Sequence, residues 1–194
     1  MKTSPTIINI AVIGGAKAGK TAVVERILGR VFHGNYVPTV HEWYTHEVDS
    51  SDGNTIQLNI TDLPGTYSFP SMLKLAVETA DVVLAVFTLN DEQSLQDVKW
   101  LCSEYVANGN ITTIKPIIIV GTKRDLLAGE STYSDYSEVT KNAQAYVETS
   151  AKNDFGCKEL LRQICAAVNV TLPMSGRKKS SRRSFKKLFK SRVN

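Results

Sequence analysis

"GGAKAGKT", Gly14 to Thr21, is the stretch on which the fold turns. It sits between an apolar, β-branched run, "TIINIAVI" (6–13), and a helix-like run, "AVVERIL" (22–28). It fits G-x-x-x-x-G-K-[ST] through Gly14, Gly19, Lys20 and Thr21, in the strand-then-helix context that this pattern requires. Glycines let the backbone curl so that N–H groups point at phosphate oxygens, and the start of a helix adds positive potential. Gly14, Gly15, Ala16, Lys17, Ala18, Gly19, Lys20, Thr21 and Ala22 are therefore the expected phosphate-binding residues. In such a loop the Lys20 ammonium reaches the β- and γ-phosphates and the Thr21 hydroxyl ligates Mg²⁺. The loop alone does not separate ATP from GTP.

Working outward, apolar runs alternate with helical patterns. Strands are expected at 6–13, 43–49, 55–61, 81–89, 115–121 and 145–149, and helices near 20–29, 70–78, 91–106, 135–144 and 156–168. Continuous runs such as "PIIIV" (116–120) suit strands covered on both faces, and the alternation predicts a parallel α/β sheet. The exception is the pair 43–49 and 55–61. "SSDGN" joins them, and its Asp52-Gly53 step suits a tight hairpin turn, so one edge strand is expected to be antiparallel. The folded unit is expected to span 1–170, with a separate tail from 171 to 194.

The formal net charge of +4 hides an asymmetry. From Arg177 onward there are nine Lys or Arg and no acid, which leaves 14 basic and 19 acidic residues, a net of −5, on the rest. An acidic domain with a basic tail argues against nucleic acid as the partner of the folded part. No apolar run is long enough to span a bilayer, and the N-terminal stretch lacks the layout of a signal peptide. Three cysteines, Cys102, Cys157 and Cys165, have neither zinc spacing nor a close pair. They read as buried thiols in a reducing compartment.

A second motif addresses the base. "GTKRDL" (121–126) follows an apolar strand, so Lys123 and Asp125 project at the carboxyl end of the sheet, where open α/β folds bind ligands. Guanine offers two adjacent donors, N1–H and the N2 amine, and one carboxylate, Asp125, can accept both. Adenine lacks that pair and would leave buried polar groups unmatched. The stem of Lys123 can lie along the base. "ETSAK" (148–152) puts small residues at a strand-to-loop junction, where the Ala151 N–H can meet guanine O6.

With "GGAKAGKT", "YVPTVHEWY", "DLPGT", "GTKRDL" and "ETSAK" in this order and spacing, the chain resembles the Ras-like small GTPases over about residues 6 to 170. The resemblance implies a P-loop NTPase fold, a six-stranded mixed sheet flanked by five helices, and a GTPase that binds GTP and GDP with Mg²⁺. It carries Phe32 over as the ring that covers the base. Thr39 becomes the second protein ligand of Mg²⁺, Asp62 holds the metal through water, and the Gly65 N–H senses the γ-phosphate. Thr122, Lys123, Asp125, Ser150, Ala151 and Lys152 form the base site. Taken singly, Phe32 reads as a core aromatic and Thr39 as a turn hydroxyl after Pro38; in register with the other motifs they read as ligand contacts.

Two departures concern hydrolysis. Thr66 follows Gly65 where most relatives have Gln to orient the attacking water, and its single hydroxyl reaches less far. Thr66, with Lys20, is the catalytic pair implied, and the same Thr occurs in the Rap branch. Ala16 stands where Gly is usual, and its methyl crowds the space beside the γ-phosphate. Pro64 stiffens the approach to the second switch loop, and Thr122 replaces the commoner Asn, as in Rho-type relatives. The expectation is a GTP/GDP signalling switch with slow intrinsic hydrolysis. The alternative is a binding module that stays GTP-bound and sequesters effectors.

The resemblance makes Tyr36–Tyr44 the surface that reads effector proteins, beside sites for an exchange factor and a GTPase-activating protein. Trp43 and Tyr44 either anchor a partner or start a strand. "YSFPSMLKL" (67–75) resembles the Di-Ras and Rhes branches. The tail holds no cysteine, like that of the Rit-type branch, so prenylation is not expected. Phe185, Leu188 and Phe189 share one helical face among lysines, so Arg177–Arg192 reads as a basic amphipathic segment. An anionic membrane surface, calmodulin or an import receptor would each fit it. Residence is expected in the cytoplasm, peripheral at the inner face of the plasma membrane, with the nucleus as the alternative.

Overall fold

The computed structural model describes residues 6–65, 70–104, 115–127 and 136–173. Six strands form one mixed sheet: β1 (Thr6–Ile13), β2 (Glu42–Asp49), β3 (Thr55–Asp62), β4 (Val82–Thr88), β5 (Ile117–Thr122) and β6 (Ala145–Glu148). Their order across the sheet is β2-β3-β1-β4-β5-β6. All pairs are parallel except β2 with β3, which run antiparallel from Glu42 opposite Asp62 to Asp49 opposite Thr55. The hairpin turn is built as its residues suggest. Gly53 takes a φ of 84°, Ser50 and Asn54 pair backbone to backbone, and the Asp52 carboxylate accepts the Asn54 N–H at 3.0 Å. The Asx contact and a glycine free to enter the left-handed region make the reversal cheap.

Five helices among the described residues flank the sheet: α1 (Lys20–Ile27), α2 (Pro70–Thr79), α3 (Glu92–Cys102), α4 (Ser137–Thr140) and α5 (Cys157–Ala167). Alternation along β1 explains the two layers. Ile8, Ile10 and Val12 point into a core shared with α1 and α5, through Val23, Val24, Ile27, Leu160 and Ile164. Ala11 and Ile13 point into a second core under α2 and α3, with Val77, Leu95, Val98 and Leu101. Every residue of β4 is buried, as expected of a central strand covered on both faces. Asp91 caps α3, its carboxylate accepting from the Gln93 and Ser94 N–H groups.

The expected elements are present among the described residues, with one correction; positions 105, 106 and 135 of the expected helices lie outside them. The helix read at 135–144 is a single turn, Ser137–Thr140, whose Thr140 hydroxyl donates back to the Tyr136 carbonyl. Two residues past Val170 also touch the folded unit. The Ser51 N–H and the Ser50 hydroxyl both donate to the Thr171 carbonyl, at 2.9 and 3.0 Å, and Leu172 packs on the first core. The chain after α5 is thus pinned to the β2–β3 turn before the basic segment begins. Among the described residues no helix is long and apolar enough to cross a membrane. Cys157 and Cys165 are buried and Cys102 is partly buried; burial pushes the three thiols up to about 11, 11 and 12.

Candidate functional site

The carboxyl ends of β1, β3, β4 and β5 share one edge of the sheet, and the motif loops gather there. Gly14 leaves β1 with a φ of 146°, and a Cβ on it would sit 2.1 Å from the Val86 carbonyl oxygen. No other residue fits, so the loop can turn directly against β4. The loop runs to Gly19, which enters α1 in a left-handed conformation with no side-chain cap. The first N–H groups of α1 have no intrahelical acceptor and face the loop's ligand side. Gly14, Gly15 and Ala18 are buried, while Ala16 and Lys17 are exposed at the mouth.

Lys20 is buried, and its ammonium donates to the Gly14 and Gly15 carbonyls at 2.9 and 2.8 Å. Burial lowers its pKa to about 8, against the pull of Asp62 and Asp97. Two of its three N–H groups hold the loop, and the third remains for a ligand anion. Asp97 of α3 is a neighbour that no motif announced: a Cβ on Gly15 would lie 2.4 Å from its Oδ2. Asp97 is itself held by Gln93, whose amide donates to Oδ1 at 3.1 Å.

The three residues assigned to the metal converge. The Thr21 hydroxyl donates to Asp62 Oδ2 at 2.6 Å. Its oxygen lies 2.8 Å from the Thr39 hydroxyl, which must then be the donor of that pair. Asp62 is fully buried, and its Oδ1 has no hydrogen-bond partner among the described residues. Burial raises its pKa to about 6, opposed by the Thr21 hydrogen bond and by Lys20. A buried, half-unpartnered carboxylate beside two hydroxyls is costly by itself and suits a hard cation. The 2.8 Å separation of the hydroxyls also fits adjacent corners of a Mg²⁺ octahedron, which lie about 3 Å apart for bonds of 2.0–2.1 Å. The oxygen donor set therefore fits Mg²⁺.

Gly65 reaches back to the phosphate loop. A Cβ on it would lie 2.4 Å from Ala16 Cα, so only glycine permits this approach. Gly65 thus lies beside Ala16 itself. Thr66 lies outside the described residues.

At the far side, Thr122 ends β5 and is buried. Its hydroxyl faces the Ala18 carbonyl at 2.5 Å and the Phe87 carbonyl at 3.0 Å, so it holds the phosphate loop from behind. Lys123 takes a left-handed φ of 57° and starts a short 3-10 turn over Arg124–Leu126. That turn sets Asp125 beside the loop after β6, where its Oδ1 accepts the Ser150 hydroxyl at 2.6 Å. Ser150 also accepts the Asn153 N–H at 3.2 Å, and it pairs with Phe155 through both backbone bonds. Ala151 and Lys152 form the tip of this closed loop. Phe32 lies at the surface, 36% exposed, in the coil between α1 and β2.

The segment 36–44 divides. Val37 and Val40 are exposed, and Trp43 is half-exposed with the His41 ring tilted against it at 41°, 3.9 Å between ring centroids. Tyr44 points inward, buried, donating to Glu42 with Arg30 over its ring. Trp43 is therefore available to a partner, while Tyr44 belongs to the strand and its core.

This geometry meets the comparisons with known proteins. The Ras family model matches residues 9–170. The chain is 30% identical over 185 residues to the GTP-binding protein Di-Ras2 of Mus musculus, covering 92% of each chain. It is 28% identical over 168 residues to the GTP-binding protein drn-1 of Caenorhabditis elegans, covering 85% of this chain and 77% of the other. It is also 28% identical over 179 residues to the GTP-binding protein Rhes of Homo sapiens, covering 86% and 66%. With five motif loops on one sheet edge and a family match across nearly the whole fold, the chain belongs to the Ras family of small GTPases, whose members are GTP hydrolases.

Proposed function

We propose that the protein is a Mg²⁺-dependent GTP/GDP switch with slow intrinsic turnover. The observation that carries the reading is the chain of contacts from Thr39 through Thr21 to Asp62 Oδ2, with Asp62 Oδ1 buried and without a hydrogen-bond partner among the described residues. Thr39 belongs to the coil before β2, and Asp62 ends β3, so an ion shared among them ties the coil to the sheet. A Mg²⁺ ion held by Thr21, Thr39 and Asp62 would supply charge neutralisation beside the phosphates. Lys20 and the loop N–H groups orient the phosphates, and Asp125 with the Ala151 N–H selects guanine. Gly65, close against Ala16, is the element that a γ-phosphate would engage. Loss of that phosphate releases Thr39 and Gly65 together, which is the switch.

Hydrolysis transfers the γ-phosphoryl group of GTP to water, leaving GDP and phosphate. Charge stabilisation is well provided by Lys20, but water positioning rests on Thr66, which lacks the reach and paired hydrogen bonds of Gln. Single-turnover assays of the wild type, Thr66→Gln and Ala16→Gly test this. The expected result is a slow wild type accelerated at least tenfold by Thr66→Gln. A wild-type rate equal to that of Gln-bearing relatives overturns the slow-turnover reading. The same departure favours the second reading, a module that remains GTP-bound and sequesters effectors through Tyr36–Tyr44. Co-purified triphosphate supports the module, and co-purified diphosphate supports the switch.

The basic segment Arg177–Arg192 lies outside the described residues. Its charge supports reversible attachment to an anionic leaflet, at about 1 kcal/mol per Lys or Arg near the surface. The same charge supports a peripheral location at the inner face of the plasma membrane. Flotation that does not depend on anionic lipid turns the assignment toward calmodulin or an import receptor.

A further inference from the structure

Arg26 stands on α1, the helix that completes the phosphate loop, yet its guanidinium reaches the loop after β6. Nε donates to the Ala151 carbonyl at 2.5 Å and Nη2 to the Lys152 carbonyl at 3.3 Å, both more than 120 positions further along the chain. Nη1 donates to the Arg30 carbonyl at 3.2 Å, just past the end of α1. The planar guanidinium fixes these directions together, because its five N–H groups form a rigid fork.

The loop it grips is also held at its base by the Ser150–Phe155 pairing and the Asp125–Ser150 contact, and internally by the Asn153 N–H on the Ser150 hydroxyl. Ala151 lies between those anchors and the Arg26 fork. With Ser150 fixed on one side and the Ala151 carbonyl fixed on the other, the orientation of the Ala151 N–H is determined. That N–H is the donor read as facing guanine O6.

We propose that Arg26 is a positioning residue for base recognition: from α1 it locks the Ala151 N–H toward an acceptor at the six-position of the base. The proposal rests on the guanine reading of this pocket. Guanine presents an acceptor there, O6, whereas adenine presents an amine donor. A rigid N–H therefore binds one and opposes the other. A loosened one loses the first contact and relieves the second clash, so the effect of removing Arg26 depends on the base. If Arg26 only capped α1 through Arg30, its loss would weaken every nucleotide alike.

The experiment is a competition titration of GDP and ADP, with Mg²⁺, on the full chain as wild type, Arg26→Ala and Arg26→Lys. Arg26→Ala is expected to weaken GDP on the order of tenfold, the size of one to two net hydrogen bonds. ADP affinity is expected not to fall. Arg26→Lys, which keeps one donor without the fork, should fall between. It also serves if the alanine variant does not fold, and amide exchange over residues 150–155 should then be faster than in the wild type. Equal losses for GDP and ADP, or an Arg26→Lys variant with unchanged GDP affinity and unchanged exchange, overturn the proposal. A wild type with no preference for GDP overturns the guanine reading and this inference with it. A wild-type preference with base-independent losses overturns this inference alone.

Discussion

The Lys17 ammonium lies over the Tyr36 ring, 5.7 Å from its centroid, and so joins the phosphate loop to the coil between α1 and β2. Lys17 holds a left-handed φ of 60°, where residues other than glycine are uncommon. The contact is exposed on both sides, and such a pair contributes about 0.5–1 kcal/mol. It is a light latch across the nucleotide mouth. Lys17→Gly and Tyr36→Ala are each expected to speed GDP release by about two- to fivefold, the rate equivalent of that energy. The double variant should release no faster than the faster single variant. Stopped-flow release of a fluorescent GDP measures all three. Multiplying effects in the double variant would show that the two side chains act separately. Lys17→Gly should not lower thermal stability, because glycine accepts the left-handed backbone without strain.

Asp62 gives the site an opposite character with and without its cation. In metal-free, nucleotide-free protein, burial raises its pKa to about 6. The folded state then binds more protons than the unfolded chain between the ordinary carboxylate value, about 4, and 6, so stability falls as pH rises through that window. At pH 7 the ionised, half-unpartnered carboxylate is a liability. Asp62→Asn is therefore expected to raise the Tm of chelator-treated protein at pH 7 by about 2–4 °C, the shift that ~1 kcal/mol produces in a domain of this size. The gain should vanish at pH 4.5, where Asp62 is itself protonated. With Mg²⁺ and GDP present the order should reverse, since Asn offers no charge to the ion. Scanning calorimetry under the three conditions checks this. The same ranking of the two proteins in all three would refute it.

What the sequence made legible divides along a physical line. β-branched runs and motif loops are local signals, so the strands and the antiparallel edge could be read directly, and the loops of Lys20, Thr21 and Asp125 stand out as motifs, whereas Asp62 is singled out by the family resemblance. The single-turn α4 is shorter than "SDYSEVTKNA" suggests: Tyr136, Val139 and Ala143 do fall at helical spacing and pack on the core, but the chain leaves the helix after Thr140 to enter β6. Contacts between distant side chains and carbonyls leave no such trace. Arg26 reads as one charge in an amphipathic helix, Asp97 as a solvated acid on α3, and Thr122 as a mere replacement for Asn. Their roles arise only when the sheet order brings α1, α3, β5 and the loop after β6 to one edge.

Thr122 shows how much rests on one such contact. It has one hydroxyl proton and two carbonyl neighbours, Ala18 at 2.5 Å and Phe87 at 3.0 Å, and the shorter contact takes most of the bond. The bond therefore fastens the phosphate loop to β5. Gly19 packs on the same side chain, with room for a Cβ only 3.1 Å from the hydroxyl oxygen. Thr122→Val keeps the shape and removes the donor, leaving the buried Ala18 carbonyl without it at a cost of about 1–3 kcal/mol. Urea denaturation should show that loss, and Thr122→Ser should recover most of it. GDP affinity should fall, because a slackened loop no longer presents its N–H groups in one concave array. The preference for GDP over ADP should remain, since Asp125 and the Arg26-held loop are untouched. A Thr122→Val variant that loses base preference as well as affinity would mean that Thr122 supports the base site directly rather than through the phosphate loop.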